Sequence, residues 1–246
     1  SREELRNPAA TYNPMTLDEI AAKYPNVDLR RYFAKQGITD IESVVIGQPN
    51  SLAEVNAILA EASEQAIHDY LTASYISTAA DYLSDDFTDA KFKLSQAVSG
   101  VEEPMPRWKR ALGVPNALLG EAVGQLYVEK HFPQSSKEKM LTLVGNLKTA
   151  LGEHINGLTW MSDTTKQRAL EKLDAFTVKI GYPDKWRDYT TLKIDRRRSY
   201  WDNIKDAIKH EVDYNLSDWG KPVDKTRWYM TPQTVNAYYS PLSNEI

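Results

Sequence analysis

The chain has 246 residues, 41% of them hydrophobic and 26% charged, which suits a soluble globular protein with a substantial core, in one large domain or two small ones. Its 30 Lys and Arg against 34 Asp and Glu leave a net charge of -4 with the signs interspersed, which excludes the basic field that nucleic-acid binding needs. Cysteine is absent, which excludes disulfide staples and thiolate chemistry.

The opening stretch SREELRNPAATYNPMT is charged and helix-like, and it begins without an initiator Met, as the middle of a longer polypeptide would. Thr16 and Glu19 make a capping-box pattern ahead of a short helix that Pro25 ends. Residues 28–35 read as a second short helix closed by Gly37, and IESVVIGQP as an extended segment favoured by Val44, Val45 and Ile46. Ser51 and Glu54 suggest a second capping box. Residues 52–83 then read as helical, with a break expected near residues 66–71.

Residues 87–98 continue the helical pattern until Pro104 and Pro106 interrupt it, and residues 99–106 are a candidate hinge. A short helix over residues 107–112 is expected to stop at Gly113, with a longer one over residues 117–132. Ser135 with Glu138 suggests a third capping box. Met140, Val144, Leu147, Leu151, Ile155 and Leu158 then recur at spacings of three and four, one apolar face of a long helix. Asp163 is positioned to cap a helix whose inner stripe is Ala169, Leu170, Leu173 and Phe176, and Gly181 and Pro183 stop it. Residues 197–214 are predicted helical, and the short basic run Arg196-Arg197-Arg198 reads as a solvated face. Residues 235–239 are the best strand candidate, being β-branched and aromatic. No signal peptide or spanning segment is visible, so no membrane contact is expected of this segment.

The residues offer no self-sufficient active site. His68, His131, His154 and His210 are scattered, and adjacent Glu153 and His154 would not face one another on a helix. No nucleophile elbow or phosphate-binding loop is present, and Asp85-Asp86 and Glu102-Glu103 read as solvated acids.

Several blocks nevertheless resemble one family. RNPAATYNPMTLDEI, RWKRALG, LGEAVGQLYVEKHFP, LTWMSDTTKQRALEKLDAF, KIGYPDKWRDY and MTPQTVNAYYSPLSNEI occur in an order that is similar to the neprilysin family of zinc metallopeptidases, which includes endothelin-converting enzymes and bacterial oligopeptidases. The resemblance implies a mainly α fold, the helical lid or framework region of a zincin-type metallopeptidase, ending in a β-strand that belongs to the catalytic domain. It implies a division into a helical region over residues 1–230 and the first strand region of the catalytic domain over residues 231–246.

It also implies that the parent enzyme uses Zn2+ to hydrolyse peptide bonds in small peptides. This segment would bind no metal and contribute no catalytic residue, because the His-Glu-x-x-His helix of the family lies beyond it. Its partners would be the peptide substrate and the remaining amino-terminal and carboxyl-terminal portions of the same protein. Asn236 would hydrogen-bond the substrate backbone through its side chain, and Ala237 would offer its carbonyl, as an extended edge can to an extended peptide. Ala111 stands where many animal members carry a cysteine, which suggests a bacterial-type parent in a periplasmic or other extracytoplasmic setting. The alternative is a non-catalytic helical module that binds peptides or proteins without cutting them.

Overall fold

The computed structural model describes Glu3 and residues 6–246. The helix-like reading of the first residues falls partly on residues 1, 2, 4 and 5, which lie outside the described residues. The chain divides into two compact units, one ending at Thr78 and the other running from Ala79 to Ile246.

In the first unit a one-turn helix, α1 (Pro8–Thr11), is started by a proline and capped by the Asn7 side chain. Strand β1 (Pro14–Thr16) pairs antiparallel with β2 (Ser43–Val45), with Met15 opposite Val44. Asn13 Nδ2 closes this pair by donating to the Ile46 carbonyl at 2.9 Å. The expected capping box forms at the start of α2 (Leu17–Lys23): Glu19 N donates to Thr16 Oγ1 at 3.1 Å, and Thr16 N to Glu19 Oε2 at 2.7 Å. That start puts Leu17, Ile20 and Tyr24 on one face, and Met15, Phe33, Val44 and Leu52 pack round them as the core of this unit. Ile20, 1% exposed, contributes about 1.5–3 kcal/mol by its burial.

Asp28 caps α3 (Leu29–Lys35), and Gly37 turns the chain away at a φ of 80°. Helix α4 (Pro49–Glu61) starts two residues ahead of Ser51, with Pro49 in its first turn. Ser51 therefore lies inside the helix and donates to Gln48 Oε1, so the expected Ser51/Glu54 box does not form. The break before α5 (Glu64–Ala79) comes at residues 62–63, where Ser63 Oγ accepts from Ala66 N, earlier than residues 66–71.

The second unit opens with a 3-10 turn (Ala80–Tyr82) and continues through α6 (Asp85–Ser99), α7 (Arg107–Leu118), α8 (Gly120–His131), α9 (Gln134–Gly157), α10 (Asp163–Asp174) and α11 (Tyr200–Leu216). Tyr82 stacks on Trp201 at 5.6 Å and ties the opening turn to α11. Helix α7 runs on through Gly113, which was expected to end it, and through Pro115, whose carbonyl accepts from Leu119 N at 2.8 Å. Helix α9 begins at Gln134 behind Pro133, so Ser135 does not cap it. Helix α10 takes its cap from Ser162 rather than Asp163. It packs against α9 where Gly152 leaves room for Leu170 and Leu173. Of the six stripe residues proposed on and just after α9, only Ile155 is buried.

The expected terminal strand does not form. The last helix or strand among the described residues is α11, and residues 235–239 are neither. A strand exists by its ladder bonds to a neighbour. Here Asn236 N bonds back to the Thr234 carbonyl, Ala237 N to Asn236 Oδ1, and Val235 stands fully exposed at 103%. The β-branched and aromatic composition of this stretch favoured strand, but among the described residues no partner strand lies against it. The architecture is mainly α with one small early antiparallel pair, without a strand at the end.

Candidate functional site

The segment over residues 231–246 is held at both ends and free in between. At its start, Thr231 and Pro232 lie directly on α8. A Cβ on Gly120 would come within 2.6 Å of Thr231 Cγ2, and one on Gly124 within 2.8 Å of Pro232 Cδ. Gln233 Nε2 donates to the Gly120 carbonyl at 3.0 Å and to Asn116 Oδ1 at 3.2 Å. Residues 234–237 are exposed.

From Tyr238 onward the chain is anchored again. Tyr239 stacks on Phe176 with ring centroids 5.7 Å apart and planes 6° apart. Ser240 and Glu245 exchange backbone bonds of 2.9 and 3.3 Å across a turn in which Asn244 takes a left-handed φ of 52°, a conformation asparagine tolerates better than most residues. Asn244 Nδ2 donates to the Lys172 carbonyl at the end of α10. Thr177 N donates to the Asn244 carbonyl, Ile246 N to Thr177, and Lys179 N to Ile246, a short parallel pairing at 2.7 to 3.1 Å.

Beneath this pairing lies a buried ion pair. Lys179 Nζ and Glu245 Oε2 are 2.6 Å apart, with side chains 4% and 1% exposed. Tyr238 donates its hydroxyl to the other carboxylate oxygen, Oε1, at 2.9 Å. Lys179 also donates to the Arg227 carbonyl at 2.5 Å. Burial pushes the Glu245 carboxyl up, but the bonds from Lys179 and Tyr238 and the Lys179 charge outweigh it and hold the group below the usual glutamate value. Burial, followed by the bond to Glu245, pushes the Tyr238 phenol well above its ordinary value.

A cavity of about 170 Å³ opens between the end of α7, α11 and residues 227–231. The guanidiniums of Arg187 and Arg227 lie 3.7 and 4.0 Å from the Tyr214 ring centroid. Arg187 pairs with Glu211 at 2.5 Å and Arg227 with Asp218, while Glu121 Oε2 accepts from Arg187 N at 2.7 Å. Each guanidinium has its own carboxylate and Glu121 adds a third beside the Arg187 backbone, so the cavity does not concentrate positive charge for an anion. Tyr189, on its wall, has its phenol raised chiefly by burial. The turn at residues 179–186 is packed against α8 and α9. Gly181, at a φ of 76°, receives the edge of Phe132, and Lys137 donates to the Tyr182 carbonyl at 2.7 Å.

Asn236 and Ala237 stand side by side and exposed, on the free part of the 231–246 segment. Sequence reasoning missed Lys179, Glu245 and the inward role of Tyr238. Lys179 and Glu245 are 66 residues apart, and no periodic pattern links them. In the first unit His68 is exposed beside Asp69; in the second His131 lies against Tyr127 and His210 stacks on Tyr189 next to Arg187. Among the described residues no three His, Cys, Asp or Glu come together as metal ligands, so the donor set does not fit a zinc ion. No helix among them is long and apolar enough to cross a membrane.

The profile of peptidase family M13, in its amino-terminal part, matches residues 1–183. The chain belongs to peptidase family M13. This M13 segment is 33% identical over 247 residues to a neutral endopeptidase of Lactobacillus helveticus, covering 100% of the chain and 38% of that protein. It is 30% identical to an endothelin-converting enzyme homolog of Locusta migratoria, covering 36% of it. A Mycobacterium tuberculosis zinc metalloprotease solved in complex with an inhibitor superimposes with a TM-score of 0.87 at 34% identity, over 98% of this chain and 37% of that one. PEPO from Lactobacillus rhamnosis superimposes at 0.84 with 26% identity. The M13 segment thus spans a little over a third of the length of these relatives.

Proposed function

We propose that this chain is the substrate-enclosing helical part of a zinc-dependent oligopeptidase, and that it meets the peptide through Asn236 and Ala237. The zinc and the groups that activate water would belong to polypeptide outside these residues. The observation that carries the reading is the exposed stretch at residues 234–237, fixed on α8 before it and by buried bonds after it. An extended peptide needs donors and acceptors presented at a fixed place, and the Asn236 side-chain amide and the Ala237 carbonyl would supply one of each. The family membership and the inhibitor-bound relative support the same assignment.

The test is peptide hydrolysis by the full-length enzyme that contains this chain. Replacing Asn236 by Ala removes one polar contact and is expected to raise KM about threefold to tenfold. An unchanged kcat/KM over a panel of peptides would rule out the contact.

A further inference from the structure

We infer that Tyr238, Glu245 and Lys179 form a clasp of positioning residues that sets the Asn236-Ala237 backbone for the peptide. The inference rests on the reading that these two residues meet substrate. Tyr238 follows Ala237 directly, and one trans peptide unit places their Cα atoms about 3.8 Å apart. Whatever fixes the Tyr238 ring therefore constrains the peptide plane that carries the Ala237 carbonyl.

The ring is fixed by one bond to a carboxylate that cannot wander. Glu245 uses Oε1 for Tyr238, at 2.9 Å, and Oε2 for Lys179, at 2.6 Å. Its backbone is held as well, through the exchange with Ser240 and the flanking bonds of Asn244 and Ile246 to Thr177. Lys179 in turn is held by the Arg227 carbonyl. At the other end, Gln233 and Pro232 fix the chain on α8. A buried ion pair is weak as a stabiliser, since a well-packed apolar pair can do as well. What it adds is direction: a charged pair with a third, phenolic partner permits one geometry where apolar packing permits several.

The clasp predicts an effect transmitted through Asn236-Ala237 and measurable as coupling. In the full-length enzyme, Tyr238→Phe keeps the ring and loses only the hydroxyl. It is expected to raise KM for a peptide substrate about threefold with little change in kcat. Asn236→Ala alone is expected to raise KM about fivefold, and the double variant by more than about fivefold but clearly less than about fifteenfold, because the part of the Tyr238→Phe effect that acts through the Asn236 side chain is then already gone while the part through the Ala237 carbonyl remains. Hydrogen exchange of the amides at residues 235–237 should quicken in Tyr238→Phe.

A double variant that multiplies the two effects, or an unaltered exchange rate, overturns the clasp and leaves the substrate contact standing. An Asn236→Ala enzyme with unchanged KM overturns both. A general loss of stability would lower the active fraction and hence kcat, not KM, so the KM-against-kcat split separates positioning from mere folding.

Discussion

Glu245 carries its carboxylate at 1% exposure, and the pH dependence of folding should report it. Its folded pKa lies below the ordinary value, because the Lys179 and Tyr238 bonds and the Lys179 charge overcome the upward pull of burial. Between the folded value and the unfolded one of about 4.3, the unfolded chain binds the extra proton, so stability rises with pH in that window. The contribution is complete above the unfolded value and drains as pH falls through the folded one. Tyr238 has the opposite sign. Its folded pKa is raised, so its contribution is present below the unfolded value of about 10 and is lost as pH rises past it. Melting temperatures followed from acid to alkaline pH should therefore show Glu245→Gln with a flatter acid arm than the parent chain. Several exposed aspartates also titrate at low pH, so the difference between the two proteins is the quantity to read. Identical acid arms would mean that Glu245 is not held by these partners.

At the scale of the element, two helical glycines should behave oppositely. A Cβ added to Gly124 in α8 would lie 2.8 Å from the Pro232 ring, and that ring belongs to backbone that cannot swing aside. Gly145 in α9 is exposed, with nothing within 4 Å of the same position. Gly124→Ala should cost about 1–3 kcal/mol by overpacking, while Gly145→Ala should gain about 0.4–1 kcal/mol by restricting the unfolded chain. Urea unfolding curves would decide it, and equal midpoints for the two variants would contradict the packing described. The same contrast explains what was legible in the sequence. The Thr16/Glu19 box was readable because all its partners lie within one turn. The Ser51/Glu54 and Ser135/Glu138 patterns have the same spelling, yet α4 and α9 start earlier, at Pro49 and Gln134, and leave both serines inside. Gly113 resembled a stop, but a helix continues through glycine when nothing beyond turns the chain. Residues 235–239 had the composition of a strand and lacked the neighbour that makes one. At the candidate site, the proposed roles of Asn236 and Ala237 come from family resemblance alone, and no pattern in the residues themselves points to them. Lys179 and Glu245 meet only because the chain returns to residues 177–179 from a distance of 66 residues.

At the scale of the whole chain, the surface is larger than its mass warrants. It exposes 18240 Å², against about 11,000 Å² for a monomeric protein of 28.0 kDa, and about 13,000 Å² if its two units were separate proteins. Large apolar side chains contribute to it. Leu147 on α9 is 60% exposed, and Ile58, Tyr70, Trp108 and Trp160 are more than half exposed as well. Monomers rarely leave contiguous apolar patches beyond a few hundred Å² in water, and the relatives that match this chain are more than twice its length. The 246-residue chain alone should therefore bind a hydrophobic dye and self-associate as its concentration rises. Sedimentation over a concentration series checks this directly. In a polypeptide of the relatives' length, as proposed above, the same residues should lose most of that dye binding, since the added part would cover the apolar surface. A chain that stays monomeric and dark to the dye across the series would mean that this surface needs no cover, and would count against a role as one part of a larger enclosure.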